Sequence, residues 1–186
     1  MNIKRSLLTA MLALGMPLTA SALDLNEAKP NVFGYNYADI EYIDYDAGDG
    51  GLKFSGSYDI KPNINLIGSL GLASDYTQLD IGVGHHSQWF GLENTDLNLF
   101  VGLEYGDFDT GFFSTSDTGI FFGAGMRTLI VPKFELAGAL SYHSFFDGDF
   151  MVSVEGLYRF KPKLYAKLGL DLGDNDTLRL GVRYDY

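Results

Sequence analysis

The sequence predicts an all-β chain: a closed antiparallel transmembrane β-barrel of ten strands, with eight as the alternative count. Three observations carry this. Apolar residues recur at every second position through ten successive segments, and neighbouring side chains of a strand point to opposite faces. The segments are divided by short turns rich in proline, glycine and aspartate. Mean hydropathy is only +0.02, although the chain holds 14 Phe, 12 Tyr and 23 Gly. That balance is expected where only alternate residues meet lipid.

The N-terminus points to export. Lys4 and Arg5 precede an apolar run over residues 7–18, broken by Gly15 and Pro17, and Ala20-Ser21-Ala22 forms a small-residue cleavage site. Residues 1–22 therefore read as a secretory signal peptide and residues 23–186 as the barrel domain. The run is too short to span as a helix, and no later stretch approaches the roughly 20 apolar residues that spanning needs. Without the signal, 11 basic residues face 24 acidic ones, a net charge of −13. Such a polyanion is a poor partner for nucleic acid. The absence of cysteine excludes disulfides, thiol catalysis and cysteine metal sites.

Residues 23–31 form a polar lead. The first strand is predicted over residues 32–45. Ala38, Ile40 and Tyr42 oppose Asp39 and Glu41, but Phe33, Tyr35 and Tyr37 fall on the other parity, so a bulge of unassigned position is expected. Residues 46–50 turn the chain. The second strand (51–60) sets Leu52, Phe54, Tyr58 and Ile60 against Lys53, Ser55, Ser57 and Asp59, and Lys61-Pro62-Asn63 follows as a turn. The third (64–73) and fourth (76–86) keep the alternation, with Leu79, Ile81 and Val83 against Asp80, Gly82 and Gly84. A link over 87–94 carries Trp89 and Phe90. The fifth strand (95–107) opposes Leu97, Leu99, Val101 and Leu103 to Asn98, Gly102 and Glu104. The longest loop is expected over 108–117. The sixth (118–130), seventh (134–145), eighth (149–160) and ninth (164–172) strands follow, three of the later turns being Val131-Pro132-Lys133, Phe146-Asp147-Gly148 and Lys161-Pro162-Lys163. The tenth (177–186) alternates Leu178, Leu180, Val182, Tyr184 and Tyr186 with Arg179, Gly181, Arg183 and Asp185.

The turns fall into two classes, one short and basic around the prolines, the other acidic. Barrels of this kind have short periplasmic turns and longer outer loops, so the acidic set is expected outside. Aromatics gather toward both strand ends, as rings at two headgroup layers do: Tyr158, Phe160, Tyr184 and Tyr186 on one side, Tyr42, Tyr105, Tyr142 and Phe150 on the other. The second face then looks inward. It holds Asp39, Glu41, Lys53, Asp80, Glu104, Arg127, Glu155, Arg159, Lys167, Arg179 and Arg183, a mixture of signs expected to pair across a narrow lumen and plug it. A pore lining is the rival reading of the same residues. Inward glycines such as Gly102, Gly123 and Gly181 suggest tight curvature.

The chemistry is sparse. His85 and His86 are adjacent in a strand and point to opposite faces. His143 and Ser144 resemble a nucleophile pair but are split by the same alternation, so His143 is expected to be a satisfied lumen histidine, able to meet an acid from a neighbouring strand. No metal-ligand spacing and no phosphate loop is visible. No catalytic residue, no cofactor and no metal site is assigned. The acidic turns, such as Asp44-Asp46-Asp49 and Asp174-Asp176, read as solvated turn formers, with divalent-cation binding as the alternative. Phe112 and Phe113 stand exposed in the long loop and mark a contact site or fold onto the rim.

The final strand, with apolar residues at alternate places back from a terminal aromatic, resembles the closing strand of bacterial outer-membrane barrels. That resemblance implies that Leu178, Leu180, Val182, Tyr184 and Tyr186 are read by the barrel-assembly machinery. The whole pattern resembles the small outer-membrane barrels of Gram-negative bacteria, such as the OmpA transmembrane domain and OmpX, which usually have eight strands. The stretch Phe33-Gly34-Tyr35-Asn36-Tyr37 through Asp49-Gly50-Gly51 is similar to a family of small proteobacterial barrels of unsettled function. Omptin-type proteases also have ten strands, but their long outer extensions are missing here. The resemblance implies a monomer in the bacterial outer membrane, in contact with its lipids and lipopolysaccharide. It implies a non-enzymatic role in envelope integrity or surface contact, with a narrow channel and a lipid-modifying enzyme as alternatives.

Overall fold

The computed structural model describes residues 33–45, 50–89, 91–109, 111–174 and 176–186. The signal segment, the polar lead and turn residues 46–49 lie outside the described residues. Ten strands form: β1 (Tyr37–Tyr45), β2 (Gly50–Lys61), β3 (Ile64–Ala73), β4 (Tyr76–Gln88), β5 (Thr95–Asp109), β6 (Ser114–Val131), β7 (Phe134–His143), β8 (Asp149–Lys161), β9 (Leu164–Leu172) and β10 (Thr177–Asp185). Each pairs antiparallel with its chain neighbours, and β1 pairs with β10, so the sheet closes on itself. Closure leaves no edge of unpaired amides, the condition for strands to cross hydrocarbon.

The alternation sorts the side chains as an inverted core. Ile40, Tyr42, Leu99, Val101, Leu168, Leu170, Leu178, Leu180 and Val182 lie exposed on the outer face. Asp39, Glu41, Glu104, Lys167, Arg179 and Arg183 are buried within. Water would make this arrangement costly on both faces, whereas a lipid exterior suits it. Outward rings cluster near the strand ends: Tyr142 lies 5.5 Å from Phe122 and 5.0 Å from Phe150 between ring centroids.

The first strand differs from the sequence reading. Its pairing with β10 and β2 runs without a register shift, so no bulge is present. Tyr35, Tyr37, Asp39, Glu41 and Ile43 share one inward parity from end to end. Phe33 and Tyr35 precede the strand and are themselves buried in the barrel mouth. The parity that looked broken belongs to an aromatic plug that continues the lumen face.

Register shifts occur elsewhere, between Asp59 and Lys61, Leu129 and Val131, and Arg159 and Lys161. Each immediately precedes a proline turn. Proline fixes its own φ and lacks a donor, and the next residue closes the turn, with Asn63 at φ 67° and Lys163 at φ 66°. One extra strand residue lets so tight a turn follow the twist of the sheet. The expected long loop over 108–117 is mostly a ladder, since Phe108 pairs with Thr115 and Asp109 with Ser114. The β5–β6 hairpin therefore overhangs the barrel, with Phe112 wholly exposed at its tip and Phe113 62 % exposed.

Leu180, at the middle of β10 and flanked by Tyr42 and Leu168 on the outer face, should be lipid-facing. Leu180→Arg is expected to lower the unfolding free energy in phospholipid vesicles by about 2–4 kcal/mol, the cost of a charge near the bilayer midplane. An unchanged urea transition would place that face elsewhere.

Candidate functional site

Three side-chain groups divide the lumen. The middle one is ionic. Strands β1, β8, β9 and β10 each send alternate side chains inward, and their register stacks opposite charges together. Lys167 Nζ lies 2.7 Å from Asp39 Oδ2, 3.3 Å from Glu41 Oε2 and 3.0 Å from Glu155 Oε2. Arg179 reaches Asp171 at 2.8 Å, Glu41 at 3.2 Å and Glu155 at 3.4 Å. Arg183 grips Asp39 with two nitrogens, at 2.8 and 2.9 Å, and its guanidinium sits 3.8 Å from the centre of the Tyr37 ring. Fork-shaped donors on carboxylates give the strongest and most directional of such contacts.

The second group closes the proline-turn end. The Arg127 guanidinium lies 4.8 Å from the Phe33 ring centre and 4.9 Å from that of Tyr35, and donates to the Gly34 carbonyl at 3.1 Å. Its Nε donates to Glu135 at 2.6 Å. The Tyr35 ring stacks on His86 at 3.6 Å between centroids, and His86 Nε2 meets Asp59 at 3.0 Å. Burial pushes the Tyr35 hydroxyl well above its ordinary range, so it stays neutral beside the cation. Cation–π contact and ring stacking thus lock the N-terminal segment across the opening.

The third group lies toward the acidic end. Glu104 is fully buried on β5. One of its oxygens is 2.6 Å from His143 Nδ1, and the other accepts from the Ser144 and Phe145 amides at 2.9 and 3.3 Å. His143 Nε2 is 3.1 Å from Ser141 Oγ. The Glu104 side chain crosses β6 at Gly119, where an added Cβ would stand 2.9 Å from its carboxylate and 2.7 Å from Phe145 N. Only glycine leaves that passage open. Phe121 stacks against the His143 ring at 5.9 Å.

Two cavities lie above the ionic cluster. A polar one of about 300 Å³ is bordered by Lys53, Ser69, Asp80, Asn98, Ser141 and Arg179. A mouth cavity of about 460 Å³ is bordered by Tyr76, Phe108, Phe145, Phe146, Met151 and Asp149. His143 borders both.

Of the expected lumen network, Asp39, Glu41, Glu155, Lys167, Arg179 and Arg183 converge, with Asp171 as a further member. Arg127 pairs apart from them with Glu135, and Glu104 serves His143. Asp80 takes hydrogen bonds from Ser69 and Gln78 at 2.6 and 3.1 Å rather than a cation. Lys53 borders the polar cavity without an ion pair among the described residues. Arg159 does not belong to the network. It is exposed and donates to the Pro132 carbonyl at 2.7 Å, because its strand has already passed the end of the lumen. Leu178, Leu180, Val182, Tyr184 and Tyr186 all face outward. Ser141 was not singled out from sequence, although Ser141-Tyr142-His143 places two side chains on one strand face; only the register shows that Glu104 reaches them. Among the described residues no group of three or more metal-ligating side chains is present, and Asp46 and Asp49 lie outside the described residues. Asp149 instead accepts from the Asp174 amide at 2.8 Å, as a turn residue does.

Lys167→Met should lower the unfolding free energy by about 3–5 kcal/mol, since three buried carboxylates lose their shared cation. Arg159→Ala should change it by under about 1 kcal/mol. Equal urea midpoints for the two variants would contradict the assignment.

No known family model matches the chain, and no curated protein matches it in sequence. In structure it is similar to the KdgM porin, with a TM-score of 0.52 and 10% identity over 81% of this chain and 99% of that one. KdgM in complex with disordered oligogalacturonate gives the same values. The N-terminal barrel of Pseudomonas aeruginosa OprF matches at TM-score 0.45 and 16% identity, covering 83% of this chain and 100% of that one. Yersinia pestis Ail matches at 0.43 and 17% identity, with 83% and 100% covered. At these identities the likeness is one of fold: the chain has the fold of outer-membrane β-barrels.

Proposed function

We propose that this chain is an outer-membrane barrel that works closed, exported by its N-terminal signal and held as a monomer among the membrane lipids. Its role is structural and surface-directed, in envelope integrity or in contact through the acidic loop end. One observation supports this above others: the lumen is crossed by buried ion pairs at its middle and by Phe33, Tyr35, His86 and Arg127 at one end. Ions would have to break contacts whose partners are already desolvated, which costs several kcal/mol per partner removed. The polar and mouth cavities then form a blind recess. The proline turns face the periplasm and the overhanging β5–β6 hairpin faces outward, lifting Phe112 and Phe113 beyond the headgroups toward a partner. Lipopolysaccharide is the nearest ligand for that rim, and the barrel-assembly machinery reads the β10 face during insertion.

Planar-bilayer recording tests the reading against a narrow channel. The folded chain should give no steady conductance, and Tyr35→Ala combined with Arg127→Ala should at most produce brief openings. Stable unitary steps from the unaltered chain would make it a channel. In cells, loss of the chain should raise sensitivity to detergent, and Phe112→Ser with Phe113→Ser should impair surface contact while leaving the barrel folded.

A further inference from the structure

The structural reading leaves the Glu104–His143–Ser141 group without a task. Burial alone asks only that each polar atom find one partner. Here the partners are ordered in a line. The Glu104 carboxylate accepts only, and one of its oxygens is already held by the Ser144 and Phe145 amides. The hydrogen between Glu104 and His143 therefore belongs to Nδ1. In the neutral imidazole this leaves Nε2 as the acceptor, 3.1 Å from the Ser141 hydroxyl. An acid that fixes the tautomer, an imidazole base and a hydroxyl in reach of it are the parts of a serine nucleophile. The group also stands where a substrate can arrive: Ser141 borders the polar cavity, and His143 joins it to the mouth cavity.

We propose that Ser141 and His143 are catalytic residues and Glu104 a positioning residue of a serine esterase site inside the barrel, opening at the acidic end. This goes beyond the structural role proposed above and departs from the expectation of no catalysis. The mouth sets the substrate class. Phe108, Phe145, Phe146 and Met151 offer an apolar wall, while Asp75 and Asp149 line the same opening. The fit is a neutral or cationic carboxylic ester with a short acyl or aromatic group, and anionic esters are repelled. Ser141 Oγ bonds to the carbonyl carbon as His143 Nε2 takes its proton. The carbon–oxygen bond to the alcohol breaks, and the alcohol leaves with that proton. Water then adds to the acyl carbon, giving its proton to Nε2; the bond from that carbon to Oγ breaks, Oγ takes the proton back from Nε2, and the acid leaves.

The test uses the chain purified in folded form in detergent, with p-nitrophenyl butyrate as substrate and a fluorophosphonate as covalent probe. The unaltered chain should turn over the ester above the detergent blank and carry the probe on Ser141, located by mass spectrometry of its peptide. Ser141→Ala and His143→Gln should abolish both. Glu104→Gln keeps an acceptor for the two amides but offers the wrong hydrogen to Nδ1. It should lower kcat about 10³–10⁴-fold, as loss of the acid does in serine triads, with KM little changed. A merely structural role would lower the folded yield and leave kcat per folded barrel alone. Heat-dependent gel mobility reports the folded fraction of each variant. Turnover that survives Ser141→Ala in the folded barrel, or a folded unaltered chain that neither hydrolyses the ester nor takes the probe, overturns the proposal.

Discussion

Four carboxylates and three cations share one cross-section of the barrel, and the rest of the structure follows from keeping them matched. Most of these groups are shut off from solvent, because the wall around them is a hydrogen-bonded sheet with apolar side chains outside. Their attraction does not by itself make the fold strong, since desolvation cancels much of it. What it supplies is a penalty for every other arrangement. A strand shifted by one residue would turn its charges into the bilayer and its leucines into the lumen. The ionic cluster therefore fixes register in a molecule whose outer face, uniformly apolar, does little to distinguish one register from the next.

That constraint also separates the two ends. Below the cluster, the segment before β1 folds inward and its rings cover Arg127 and His86. Above it, β5 and β6 run on past their neighbours, and the lumen widens into two joined cavities. The two ends of the lumen thus differ, one covered by rings and the other bordered by cavities. Phe100 and Phe121 fill space over Gly123 and Gly102 in its wall, so small residues on one strand admit rings from the next.

Much of this was legible in the sequence because a period of two is a strong signal when it persists through ten segments. Strands β3 and β9 match their expected bounds, and the proline turns follow directly from the limits on φ. The bulge expected in β1 is absent because the odd-parity rings continue the lumen face instead of crossing the sheet. The loop over 108–117 looked irregular because Thr115, Ser116 and Asp117 carry no alternation, yet outside the membrane a ladder needs none. Arg159 read as a lumen residue on parity alone, which says which way a side chain points and not whether the lumen still surrounds it. The Glu104 contact was out of reach for a different reason: it spans two strands and depends on Gly119, so no local pattern encodes it.

The seam between β1 and β10 joins positions far apart in the chain, with Asp39 and Glu41 finding Lys167, Arg179 and Arg183 across 128 to 144 residues. Tyr186 also ties back, its amide to Asn36 and its hydroxyl to Ser57. The acids of β1 are therefore neutralised only by cations of β9 and β10. Contacts of such long range form slowly. Burial of the β1 acids is thus coupled to closure of the seam: an arrangement that orders β1 before β9 and β10 dock leaves its carboxylates uncompensated.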